Sequence, residues 1–180
     1  EVDCTGECGG SAVEDDCGIC DGDGSTCTHF TLDIEETGIS TLFISNTMSG
    51  GGSDMDIGDE LAIFDENGII DSLGNIGEVL VGTWTYEGLE EGMEYATMEI
   101  ETIGSIDLTD VGGPILPGYV SGNTITIKIW DISEQREYDT FFYINEGTGT
   151  FDGASSSIIE VWECPGDVDA DGICDEIDDC

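Results

Sequence analysis

Positive charge is nearly missing from this sequence. Lys128 and Arg136 stand alone against 42 acidic residues, and the formal net charge is −40. A nucleic-acid backbone demands a basic surface, so nucleic acid is excluded as a partner. Histidine occurs once, as His29, with no nucleophile motif beside it, which removes the usual basis for a Ser–His–Asp or Cys–His reading. No run is long and apolar enough to cross a membrane, and no window of a dozen residues carries a helical period. The chain lacks a signal peptide and starts at Glu1 rather than Met, so a mature product or a segment of a longer chain is expected. Cysteine is absent from residues 28–163, and no Asn-x-Ser/Thr sequon occurs anywhere.

What is present begins with acid. Charge at this density opposes a compact state, and composition of this kind is common in disordered tails. Here 38% of the residues are hydrophobic and they are patterned, so a folded chain is expected. With so few Lys and Arg, bound divalent cations or high external salt must neutralise the excess. Acids this numerous also guarantee some close carboxylate pair, which empties the usual glycosidase signal. The chain is expected not to be an enzyme.

Eight cysteines crowd the two ends: Cys4, Cys8, Cys17, Cys20 and Cys27, then Cys164, Cys174 and Cys180. That density fits disulfides in an oxidising, extracellular setting. Cys17-Gly18-Ile19-Cys20 also has the spacing of a metal–thiolate site, but zinc sites seldom sit among so many free carboxylates. The chain thus divides into a Cys/Asp/Gly-rich segment 1–27, a cysteine-free segment 28–163 and a second Cys/Asp/Gly-rich segment 164–180. Five and three are both odd, so full oxidation requires at least one disulfide between an N-terminal and a C-terminal segment. Within one chain, Cys27 and Cys164 bracket the central segment, and a bond there would contribute about 4–5 kcal/mol by loop closure. Between chains, the same parity would link a tail to the next head.

The central segment alternates with period 2. Phe30, Leu32 and Ile34 share one face, and Ile125, Ile127 and Ile129 another. Further strands are expected over Ser40–Asn46, Asp59–Asp65, Glu78–Tyr86, Glu94–Thr102, Tyr138–Ile144 and Ser157–Glu163. Turns are expected at Glu66-Asn67-Gly68 and Ser121-Gly122-Asn123, a flexible loop at Gly50-Gly51-Gly52-Ser53, and a sharp bend at Gly112-Gly113-Pro114. About eight short strands predict an all-β fold, an antiparallel β-sandwich flanked by two small irregular segments stabilised by disulfides and calcium.

The C-terminal segment fits a calcium loop. Asp167, Asp169, Asp171, Asp175 and Asp178 fall at positions 1, 3, 5, 9 and 12, Gly172 at position 6, and the backbone carbonyl of Ile173 at position 7. Hard cations take a shell of oxygens, and alternate residues of a tight loop converge on one point. Asp178 replaces the usual glutamate, and no amphipathic helices flank the loop. The run Asp167, Asp169, Asp171, Gly172, Asp175, Asp178, Cys180 instead resembles a thrombospondin type 3 repeat. That resemblance implies a coreless loop wrapped around calcium through these five aspartates, with disulfides as staples.

Cys17-Gly18-Ile19-Cys20-Asp21-Gly22-Asp23-Gly24-Ser25-Thr26-Cys27 resembles the Cys-Gly-x-Cys-x-Gly-Asp-Gly-x-x-Cys stretch of secreted cysteine-rich modules. Such stretches end the cysteine-rich region of some extracellular metalloproteases and occur beside thrombospondin-type repeats in large bacterial surface proteins. The zinc-binding His-Glu-x-x-His helix is absent, so no protease function transfers. Asp21 and Asp23 are candidate calcium ligands. Gly58–Asp65 and Ile127–Asp131 resemble β-sandwich modules of secreted multidomain bacterial proteins, which implies location and architecture only.

These observations lead to an expectation of a structural subunit of an extracellular, calcium-stabilised fibre, filament or surface stalk. Its partner would be itself, joined head to tail through the Cys/Asp-rich ends. The alternative is a glycan- or receptor-binding adhesion module, for which Trp84 and Tyr86 on one strand face, with Trp130, Tyr119 and Trp162, would supply aromatic platforms. Asp54, Asp56, Asp59 and Glu60 suggest either a further calcium site or a solvated loop. Lys128 suggests an isopeptide with an acidic neighbour or, more simply, a cross-strand ion pair. Asp71-Ser72-Leu73 resembles an O-glycosylation acceptor that some bacteria use for exported proteins.

Overall fold

The computed structural model describes residues 2–4, 10–13, 20, 28–47, 55–88, 97–153 and 156–163, with the backbone alone at 46–47, 141 and 156–163. The candidate calcium ligands Asp167, Asp169, Asp171, Ile173, Asp175, Asp178, Asp21 and Asp23, together with Asp54, lie outside the described residues, as do Cys8, Cys17, Cys27, Cys164, Cys174 and Cys180.

Among the described residues, nine strands and one short 3-10 turn follow one another along the chain: β1 (Ser40–Thr47), β2 (Glu60–Ile69), β3 (Ile76–Thr85), β4 (Met98–Ile103), β5 (Ile106–Asp107), the turn Thr109–Val111, β6 (Ile115–Leu116), β7 (Thr126–Asp131), β8 (Arg136–Glu146) and β9 (Ser156–Glu163). The all-β expectation is met. Seven strands form one hydrogen-bonded order, β3-β2-β7-β8-β9-β1-β4, and β5 pairs with β6. Every neighbouring pair is antiparallel except β1–β9, which is parallel.

The eleven residues of β8 connect the two parts of this order. Its first four residues pair with β7 and the remainder with β9. The sheet folds around one core. Phe43 of β1 and Met98 and Ile100 of β4 cluster with Leu61 and Ile63 of β2, Val79 and Val81 of β3, and Ile127 and Ile129 of β7. Burial at alternate positions, the period the sequence displays, builds this core. Contact between the outer strands is close. A Cβ at Gly82 of β3 would stand 2.6 Å from Ile100 Cγ2 of β4, so only glycine fits there.

Two expectations are corrected. Phe30, Leu32 and Ile34 are more buried than Thr31, Asp33 and Glu35, as the alternation indicated, but residues 28–39 form no strand. The amides of His29 and Phe30 donate to a side chain, described below, rather than to a neighbouring ladder. Glu66-Asn67-Gly68 is no turn. It lies inside β2 at a shift of register between Asp65 and Gly68, a bulge. Asp65 Oδ1 accepts from Asn67 N at 2.9 Å and curls the backbone. Gly68 lets the strand pass Val79, whose Cγ1 would lie 2.3 Å from an added Cβ. The chain reverses later, at residues 70–75. The bend at Gly112 is present, with φ at +81°.

Candidate functional site

The pole that holds the β7–β8 turn receives the chain and releases it. On the entry side, Glu60 opens β2 and is 2% exposed. Its two carboxylate oxygens accept from His29 N at 2.7 Å and Phe30 N at 2.9 Å. Phe30 is buried edge-on against Phe64, with ring centroids 5.9 Å apart. The His29 ring lies flat on Trp130 of β7 at 3.8 Å. Main chain and both rings therefore fix the entry.

A line of polar contacts continues across the sheet. His29 Nε2 is 3.3 Å from Glu137 Oε2, and Glu137 Oε1 is 3.3 Å from Lys128 Nζ. Lys128 Nζ lies 3.9 Å from Glu78 and 4.9 Å from the centre of the Phe64 ring. Burial pushes the Glu137 carboxyl up, but His29 and Lys128 more than offset it, and the net is below the usual range. Burial pulls the Lys128 ammonium down. Its bond to Glu137 and the charges of Glu137, Glu78 and Asp139 outweigh that, and the net is upward. A lysine held protonated is a poor nucleophile, so the geometry favours the ion pair over the isopeptide.

Asp59 ties the same pole together from inside. It accepts from Ile132 N at 3.0 Å, in the β7–β8 turn, and from Asp56 N at 2.8 Å. Burial raises its carboxyl above the usual range, and the negative charges of Asp131 and Asp56 add to the rise, while the two backbone N–H groups oppose it. Asp59 and Glu60 are thus spent on backbone donors and are not a solvated loop. Among the described residues no group of three or more His, Cys, Asp or Glu side chains converges as a metal site.

On the exit side, β9 runs antiparallel to β8 and ends with Glu163 opposite Thr140. It leaves the sheet heading toward the β7–β8 turn. Glu137, which His29 touches, is three residues from Thr140, about 10 Å along the strand. The residues that follow Cys27 and precede Cys164 therefore stand at one end of the β domain. The opposite pole, about 30 Å away along β2, holds residues 70–75 and the β5–β6 hairpin.

The described aromatics form no exposed row. Tyr119 is buried and stacked on Phe151 at 4.4 Å. Trp84, 6.0 Å from Tyr86, packs partly into the core, and Trp130 is covered by His29. Tyr143, 52% exposed, is the aromatic most open to solvent among the described residues. The side chain of Trp162 lies outside the described residues. Of the cysteines, Cys4 and Cys20 form a disulfide, with Cα atoms 5.4 Å apart. Among the described residues no helix is long and apolar enough to cross a membrane.

Sequence reasoning singled out His29, Asp59, Glu60 and Lys128 individually but missed their convergence. Glu137 was missed altogether; it stands two residues from Asp139, which faces Lys128 in the β7–β8 pairing. No known protein family, curated protein or solved structure matches the chain.

Proposed function

We propose that this chain is a structural unit of an extracellular, calcium-stabilised fibre or surface stalk, in which the Cys/Asp-rich ends of successive units join head to tail. The observation that carries the proposal is the shared pole of entry and exit. A head-to-tail contact repeats into a filament unless it closes into a ring. When both ends leave from one pole, the joints follow each other along a spine and the β domains project sideways. The axial repeat is then set by the short ends, not by the length of the β domain.

Cysteine parity supports this reading. The Cys4–Cys20 bond uses two of the five N-terminal cysteines, which leaves three (5 − 2) facing the three of the C-terminal segment. Full oxidation still requires a disulfide between the segments, within one chain or from one chain to the next. The spacing of Asp167, Asp169, Asp171, Asp175 and Asp178 is the basis for calcium in the joint, and extracellular sites of this kind need affinities of only about 10⁻⁴–10⁻³ M.

Negative-stain imaging of the purified chain with calcium, and after chelation and reduction, tests the proposal. Calcium is expected to give filaments with lateral knobs, and its removal with reductant is expected to disperse them. Monomers that ignore calcium at every concentration would overturn the reading. So would metal analysis that finds no bound ion in the native material.

A further inference from the structure

The pole opposite the joints carries a serine that the packing of the domain does not use. Residues 70–75 connect β2 to β3, and Asp71 folds them. Its carboxylate accepts from Leu73 N at 2.9 Å, Asn75 N at 3.2 Å and Asn75 Nδ2 at 2.7 Å. Its carbonyl accepts from Gly74 N at 3.1 Å, and Ile70 N donates to Asn75 O at 3.0 Å. These bonds hold Ser72 at the apex of a pinned turn.

Ser72 is exposed, and its hydroxyl makes no hydrogen bond to any described residue. Exposed hydroxyls without a bond recur at Thr31, Thr85, Thr97, Ser121 and Thr124, so what sets Ser72 apart is the pinned turn and the apolar side chains beside it. Several others are engaged. Thr37, Thr102, Ser105 and Thr140 bond to backbone carbonyls, and Ser133 to Asp131. Beside Ser72, Leu73 is 81% exposed, with Ile70 and Ile76 also open to solvent. One exposed leucine is ordinary. Three apolar side chains within seven residues of one turn, in a chain this acidic, form a patch that the core does not explain.

We propose that Ser72 is a site of O-linked glycan attachment, with the Asp71-Ser72-Leu73 turn as the acceptor. The co-reactant is a sugar activated as a phosphate ester, on a lipid or a nucleotide. Serine Oγ bonds to the anomeric carbon while the bond from that carbon to the phosphate oxygen breaks. The phosphate departs with the electron pair, and the serine proton passes to a base of the transferase. In the folded chain the Asp71 carboxylate is occupied by its own turn, so its part is to present the hydroxyl. Leu73 is the apolar side chain left free for recognition. The attached glycan then covers Ile70, Leu73 and Ile76, which accounts for their tolerance at a solvent-facing pole. This inference is independent of the fibre reading.

Intact-mass measurement of the chain purified from its native cells tests the inference, with electron-transfer fragmentation to place any added mass. The expected result is sugar-sized increments located on Ser72, abolished in Ser72→Ala and kept in Ser72→Thr. Asp71→Ala, which retains the serine, is expected to lose most of the modification, while melting behaviour shows that the domain remains folded. A native mass equal to that of the sequence with its disulfides would overturn the proposal, as would sugar that persists in Ser72→Ala. Full modification of a folded Asp71→Ala chain would overturn the assigned role of the turn.

Discussion

At the pole where the chain enters and leaves, Asp59 and Glu60 meet backbone amides and Glu137 meets Lys128 and the His29 ring. Toward the far pole, among the described residues, carboxylates meet amides and a hydroxyl but no lysine or arginine. Lys128 and Arg136, the whole stock of lysine and arginine, lie on β7 and β8, beside the entry segment that carries His29. The far pole has no such partner within reach, and Asp65 shows how it manages. Asp65 is fully buried. Its oxygens accept from Asn67 N, Val120 N and the amide of Asn123, all at 2.8–3.0 Å. The comparison teaches that a chain almost without basic residues can bury acid at either end by surrounding it with oriented dipoles, and keep its two basic side chains for the end where the described chain enters and leaves.

The strongest way to break the comparison is Asp65→Ala. It removes the shared acceptor of the Asn67 and Val120 amides and of the Asn123 side chain, which keeps only its bond to Asn67 O. The expected loss is about 2–4 kcal/mol, from three partly buried donors that lose their carboxylate, read as a fall in urea midpoint at unchanged slope. A loss below about 1 kcal/mol would show that water replaces the carboxylate, and that the pole is less dry than its geometry indicates.

Glu60→Gln is the matching change at the entry pole and is expected to cost less. One of its oxygens becomes a donor and can no longer accept from His29 or Phe30, which costs about 1–2 kcal/mol. The entry segment ends at this pole and can lift away, so the damage stays local. Hydrogen exchange at the His29 and Phe30 amides is expected to accelerate while β2 and β7 keep their protection. Equal acceleration across β2 would merge the two poles into one cooperative unit and remove the distinction.

This contrast also marks how far the sequence could be read. The alternation of Ile125, Ile127 and Ile129 found β7, and comparable patterns found β1, β2, β3, β8 and β9 to within a few residues. The two-residue strands β5 and β6 had no pattern long enough to display a period. The bulge at Asn67 and Gly68 passed for a turn because Asn-Gly is a turn signal, while the carboxylate that turns it into a bulge belongs to Asp65. Phe30, Leu32 and Ile34 announced their burial correctly but not their backbone, because the acceptor for the His29 amide sits 31 residues away on Glu60. Asp59 reaches 73 residues, to Ile132. Local pattern encodes which side chain is inside. It does not encode which distant amide a carboxylate will find, and the entry pole is made of such pairings.

The finest distinction lies within the entry pole and has opposite signs in pH. Asp59 is raised by burial, with Asp131 and Asp56 adding to the rise. The folded state therefore holds that proton more tightly than the unfolded one, so its contribution grows as pH falls into the carboxylate range and is lost as pH rises through its folded value. Glu137 is held low because His29 and Lys128 outweigh its burial. Its contribution is present above its unfolded value and disappears as pH falls through the folded one. Acidification also relieves the repulsion of the whole chain, so each variant must be compared with the parent at the same pH, where that common effect cancels. The stability deficit of Asp59→Asn is expected to widen toward acid, and that of Glu137→Gln to narrow. For Glu137 the neutral-pH deficit is expected to be only about 0.5 kcal/mol and to shrink further in salt, since its side chain is 40% exposed. Parallel pH profiles for the two variants would mean that cations do not govern Glu137, and that this pole handles its acid as the far pole does.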